Sequence, residues 1–214
     1  MTYDAVIFDL DGTLVDTERQ MFEAGQHSFE RHGAVLSHDL FGQILGTDHE
    51  TGQKVLASAL PGVDLDALEA DWTREILARF AKGIAPRAGA VDLLNHLDTL
   101  GVAVAVATSS GRKGAASKLQ ASGLARFFDV VITADDVTHR KPAPDPYLLA
   151  AQRLGVDPSR CLAFEDSGPG TQSAHAAGCR VVLVPDMTSP PQTHAHHLGR
   201  DLLHGAQLAG LPLP

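Results

Sequence analysis

Five short apolar runs punctuate the chain: Ala5–Phe8, Val102–Ala107, Val130–Ile132, Cys161–Phe164 and Val181–Val184. They are rich in β-branched residues, and none alternates cleanly between apolar and polar positions. A strand with one wet face alternates, whereas a strand covered on both faces need not. The runs therefore predict a parallel sheet buried between helices. The stretches between the later runs have a different period. Val91, Leu94, Leu97 and Leu100 fall at helical spacing within Ala88–Leu100. A second helical stretch opens at Pro144, Asp145 and Pro146, continues through Leu154 and stops before Gly155. Strand and helix patterns that alternate in this way imply an α/β fold with a doubly wound parallel sheet.

One interval breaks the alternation. Residues 9–101 separate the first two strand-like runs and look helical throughout, most clearly at Thr17–His32 and Leu65–Phe80. In the latter, Leu65, Leu68, Trp72, Ile76 and Phe80 share one stripe. A simple crossover needs only about a dozen residues or more, so the surplus predicts an inserted helical subdomain. The expected organisation is an α/β core over 1–14 and 87–214 and a helical cap over 15–86, with hinges near Val15 and Pro86. At its spacing Trp72 is expected in the core of the insert rather than as a ligand platform. Beyond Pro185 the chain reads as a Pro-containing tail with a weak helical stretch over Leu198–Leu208. His194, His196 and His197 are expected there as a solvated surface rather than a metal site.

Composition narrows the function. Hydrophobic residues make up 44% and charged residues 20%, which excludes a disordered or fibrous chain. Acids outnumber bases by 26 to 17, for a formal charge of −9, and no basic stripe suited to nucleic acid is present. An anionic substrate must then find positive charge locally, from a metal, a few placed cations or helix N-termini. The longest purely aliphatic run, Val102–Ala107, is far below the ~20 residues needed to span a bilayer. With no basic segment at the N-terminus, a cytoplasmic location without a membrane anchor is expected, with Cys161 and Cys179 as free buried thiols. A monomer is the default expectation.

Candidate chemistry gathers at the carboxyl ends of the strand-like runs, where ligands bind in open parallel sheets. The first run leads into Asp9-Leu10-Asp11-Gly12-Thr13, and the second into Thr108-Ser109-Ser110. Lys141 precedes Pro142, which holds the lysine's backbone extended. The fourth run ends in Glu165-Asp166-Ser167-Gly168. Taken singly, each group also reads as a turn, a helix cap or a solvated loop. Two carboxylates two residues apart repel each other unless a cation or a proton intervenes. A hard divalent cation such as Mg²⁺ takes oxygen ligands of this kind.

Together the four motifs resemble the haloacid dehalogenase superfamily of phosphotransferases. The likeness covers about Tyr3 to Asp186. It extends to the subgroup of β-phosphoglucomutase and sugar-phosphate phosphatases, which carry a helical cap directly after the first motif. The resemblance implies that Asp9 is the nucleophile and Asp11 the general acid and base. It implies Mg²⁺ held by Asp9, the Asp11 backbone carbonyl and Asp166, with Glu165 behind them or acting through water. It also implies phosphoryl contacts from Thr108, Ser109 and Lys141. In the cap, Gly46 and His49 are the candidate substrate contacts. His49 stands where mutases of the subgroup carry an arginine for a second phosphate, and Leu45 where they carry a lysine. The expected activity is therefore hydrolysis of a small phosphorylated metabolite, probed against two alternatives: a phosphomutase, and a catalytically silent binding protein on the same fold. Asp11 argues against a dehalogenase. Neither Lys54 nor Lys82 stands in a motif that would make a phosphonatase.

Overall fold

Among the described residues, six strands form one parallel sheet: β1 (Ala5–Phe8), β2 (Ala103–Ala107), β3 (Val130–Ile132), β4 (Cys161–Glu165), β5 (Arg180–Leu183) and β6 (His197–Leu198). Their order is β3-β2-β1-β4-β5-β6. The computed structural model describes residues 3–45, 49–187, 190 and 192–213. The chain winds outward from β1 in one direction and then, from β4, in the other. The switch between β1 and β4 opens the crevice in which such sheets bind ligands. Five of the strands lie on the expected apolar runs. The sixth was not expected, and it corrects the reading of the tail: Leu198 belongs to β6, and the helix α9 begins only at Leu202. Asp201 caps that helix by accepting a hydrogen bond from the His204 amide at 2.7 Å. A two-residue edge strand is too short to show a period.

Side-chain alternation gives the sheet two unlike faces. Ala5, Ile7, Ala105, Ala107, Cys161, Ala163 and Val181 pack with Tyr147, Ala150 and Ala151 of α7 (Asp145–Leu154) and Ala174 of α8 (Gly168–Ala176). The opposite face carries bulkier groups. Phe8 and Phe164, register partners on β1 and β4, stack at 5.2 Å, and Phe128 meets Phe8 edge-on at 6.2 Å. Helices α5 (Ala90–Thr99) and α9 (Leu202–Leu208) pack against each other, with α5 on β2 and α9 on β5 and β6. A Cβ on Gly205 of α9 would fall 2.6 Å from Val182 and 3.2 Å from Phe164, so this helix lies directly on the sheet. Helix α6 (Arg112–Ala121) follows β2. Cys161 and Cys179 are buried free thiols.

The chain divides into two compact units, one of the residues up to Asp16 and those from Ala85, the other Thr17–Ile84. The latter holds α1 (Thr17–Arg31), α2 (His38–Ile44), α3 (His49–Ala59) and α4 (Leu65–Phe80). Trp72 of α4 meets Phe29 of α1 edge-on at 5.5 Å, and its indole N–H donates to the Met21 carbonyl at 2.8 Å. Its role is packing among the helices. The rest of the α4 stripe is only half buried apart from Leu68. The α1–α4 seam also holds a polar contact: Arg31 reaches the buried Asp71 at 2.8 Å. Where the chain leaves and re-enters the sheet unit, Asp16 donates to Ala85 and Leu14 accepts from Arg87, both at 2.9 Å, around an antiparallel bridge between Val15 and Pro86. No helix among the described residues is long and apolar enough to cross a membrane.

The stacked Phe8–Phe164 pair makes a test of the core. Phe8→Ala is expected to cost about 3–5 kcal/mol of folding free energy, read from the midpoint of a urea unfolding curve.

Candidate active site

Backbone ladders carry the first candidate residues just beyond the strands. Asp9 follows β1 and donates its amide to Phe164 at 2.9 Å; Thr108 follows β2 and donates to Ile132 at 2.9 Å. Glu165 is the last residue of β4 and is fully buried. After Asp11 the chain must reverse, and Gly12 supplies the left-handed backbone at φ +79°. Its amide then reaches the Val15 carbonyl at 3.0 Å. Asp9, Asp11, Thr108 and Glu165 thus cluster at the carboxyl edge of three adjacent strands.

Lys141, from the long connection after β3, ties this edge together. Its ammonium lies 2.6 Å from Asp9 Oδ1 and 2.6 Å from Glu165 Oε1, and the side chain is 5% exposed. Tyr147 of α7 donates to the same Glu165 oxygen at 2.7 Å, while Ser167 donates to Oε2 at 3.1 Å. At the start of α8, a Cβ on Gly170 would sit 1.9 Å from Glu165 Oε2, so only glycine lets this helix approach the carboxylate. The Asp9 carboxyl is pushed up to about 8: burial is the largest cause, Lys141 opposes the rise, and Glu165 and Asp11 add to it. Burial also opposes charge on Lys141, but Asp9 and Glu165 outweigh it and hold the ammonium above the usual lysine range. Tyr147 is raised well above its ordinary value, by burial first and by the two carboxylates next.

Asp9, Glu165 and Asp166 each offer an oxygen within 4.8 Å of the others. Three hard oxygen donors, with one lysine against them, fit a Mg²⁺-sized dication. Asp11 engages different partners. Ser110 donates to its Oδ2 at 2.8 Å, and the Lys118 ammonium meets its Oδ1 at 2.6 Å and Ser110 Oγ at 2.9 Å. Thr108 Oγ1 accepts from the Ser110 amide at 3.0 Å, and Ser109 is exposed. In the helical unit Gly46 lies outside the described residues. His49 opens α3, exposed, with Nδ1 3.3 Å from Glu69 Oε1. It borders a cavity of about 310 Å³ lined by Phe41, Leu56, Leu68 and Trp72. In the tail, the His194 and His196 rings lie 5.7 and 5.4 Å from that of His175. The Val181 amide donates to His196 Nδ1 at 3.0 Å.

Sequence reasoning missed Tyr147, Lys118 and the orientation of Ser110. Tyr147 reads as one more apolar position of α7, and nothing in its spacing marks the hydroxyl. Lys118 does leave a trace, as a charged residue on the helix face that also carries buried Ala115 and Leu119.

Tyr147→Phe removes a hydrogen bond to a buried carboxylate. It is expected to lower stability by about 1.5–3 kcal/mol, measured by denaturant titration at fixed pH.

The haloacid dehalogenase-like hydrolase family model matches residues 6–184. The chain is 36% identical to the fructose-1-phosphate phosphatase YqaB of Escherichia coli, over 85% of this chain and 96% of that protein. It is 34% identical to a phosphorylated carbohydrates phosphatase of Thermotoga maritima, over 82% of each. Among solved structures, a HAD family hydrolase from Deinococcus radiodurans with bound phosphate and sodium superposes with a TM-score of 0.83 at 30% identity, over 100% of this chain and 99% of that one. With four motifs converging on one sheet edge and a family match across most of its length, the chain belongs to the haloacid dehalogenase-like hydrolases.

Proposed function

We propose that this protein is a Mg²⁺-dependent phosphatase of small phosphorylated carbohydrates that works through a phosphoryl group carried on Asp9. The observation that carries the reading is the buried Asp9 carboxylate, paired with Lys141 and grouped with Glu165 and Asp166 oxygens. The phosphatase relatives support the substrate class.

An Asp9 oxygen attacks the phosphorus, and the bond to the ester oxygen breaks. Asp11 gives its proton to the departing alkoxide. Water then attacks the phosphorus of the acyl phosphate, its proton passes to Asp11, and the bond to Asp9 breaks to release phosphate. Asp9, Glu165 and Asp166 would hold Mg²⁺, which when bound neutralises charge on the phosphoryl oxygens and the carboxylates. Thr108, the Ser109 amide and Lys141 would grip the phosphoryl group, since positioning and charge neutralisation supply most of this catalysis. The insert Thr17–Ile84 would act as a cap that selects the sugar, with His49 among its contacts.

Hydrolysis is favoured over phosphomutase activity by His49 and its neighbour. A mutase must grip a second phosphate, and the carboxylate of Glu69 beside His49 repels one. A panel of sugar phosphates assayed for inorganic phosphate tests the reading. Turnover should vanish on exhaustive chelation and return with Mg²⁺. In Asp9→Asn it should fall to background with the fold intact by circular dichroism. Full activity without a divalent metal, or trapped phosphate on a residue other than Asp9, would overturn it.

A further inference from the structure

Lys118 belongs to none of the four motifs, yet it closes a triangle with two residues that do. Ser110 to Asp11 is 2.8 Å, Lys118 to Asp11 is 2.6 Å, and Lys118 to Ser110 is 2.9 Å. The three corners come from the loop after β1, the loop after β2, and α6. The two Asp11 oxygens are held by different donors, so turning the carboxylate about its own bond breaks both contacts.

The lysine's placement is specific. It lies on the same face of α6 as Ala115 and Leu119, which are buried, and its own side chain is 17% exposed. Lysines are rarely so covered unless their charge is paired. Asp11 at the other end is 30% exposed. Pairs this close to solvent contribute little to stability, at most about 1 kcal/mol. The contact is therefore better explained by what it does to Asp11 than by what it does for the fold. Asp9 gains its orientation from the strand ladder and Lys141. Asp11 lies beyond the strand ladder, where the chain turns back at Gly12, and its carboxylate meets side chains of the β2 loop and α6.

We propose that Lys118 is a positioning residue that, with Ser110, fixes the direction of the Asp11 carboxylate for proton transfer to the leaving group. This rests on the reading of Asp11 as the group that protonates the departing oxygen. The two readings separate by leaving group. A sugar alkoxide is a strong base and needs that proton, whereas p-nitrophenolate is a weak base and departs without it. In a two-step phosphatase kcat/KM includes only the steps through cleavage of the ester bond, so the second use of Asp11 does not enter.

The experiment compares kcat/KM for p-nitrophenyl phosphate and for the best sugar phosphate of the panel. Lys118→Met should lower the sugar-phosphate value by about 10–100-fold and the p-nitrophenyl phosphate value by about threefold or less. Lys118→Arg should recover part of the loss, and Ser110→Ala should show the same asymmetry at smaller size. Equal losses on both esters, no loss, or a gain in rate would overturn the proposal. Thermal unfolding of each variant checks that the fold is kept. If Lys118→Met does not fold, the asymmetry in Ser110→Ala decides alone. Wild-type protein that hydrolyses p-nitrophenyl phosphate but no sugar phosphate refutes the substrate class. Wild-type protein that hydrolyses neither refutes the phosphatase reading and the proposal with it.

Discussion

A buried ammonium set between two buried carboxylates governs the architecture of the carboxyl edge of the sheet. Asp9 and Glu165 repel each other, and both are buried from bulk solvent; Lys141 is what lets both stay at the end of adjacent strands. Such a pair is weak evidence for stability, because desolvation offsets most of its attraction. Its value is geometric. Glu165 is further pinned by Tyr147 and Ser167, and α8 comes close only because Gly170 has no side chain. Even so the cluster carries more negative than positive charge; burial is the chief cause of the upward shift of Asp9, and Glu165 and Asp11 add to it against Lys141. A chain of net charge −9 supplies no general excess of cations, so a dication bound at this spot relieves the repulsion where it is greatest.

The two aspartates of the first motif are held by different means. Asp9 prolongs the backbone ladder and inherits the rigidity of the sheet. Asp11, two residues on, lies beyond the ladder, where the chain turns back at Gly12. It takes its direction from side chains of the β2 loop and α6. A nucleophile has to be fixed against one phosphorus atom. In the proposed mechanism Asp11 gives and then takes a proton, and its side-chain tethers set the direction that the strand ladder sets for Asp9.

Much of this was legible in the residues. Strands buried on both faces announce themselves as short apolar runs, and Asp9, Thr108, Lys141 and Glu165 stand where those runs end or in the loops that follow. The long helical interval betrayed the insert, and the spacing of α4 gave its span. What stayed hidden has physical causes. The two residues of β6 are too few to carry a period, so the tail read as helix from Leu198. Tyr147 occupies a core position of α7 that a phenylalanine would fill equally well; only the fold brings its hydroxyl to Glu165. Lys118 and Asp11 are far apart in the chain, and helix periodicity says which face Lys118 shares but not what that face meets.

The short pairing of Leu14–Asp16 with Ala85–Arg87 has a bearing on how such a chain can change. It closes the insert as a stem closes a loop. Closure entropy grows only with the logarithm of loop length, and doubling the insert would cost about 0.6 kcal/mol more. The inserted helices can therefore be lengthened, shortened or exchanged with little thermodynamic consequence for the sheet, provided the stem is kept. Change in the length and composition of the insert and constancy in the sheet are, as far as chain closure goes, nearly independent quantities.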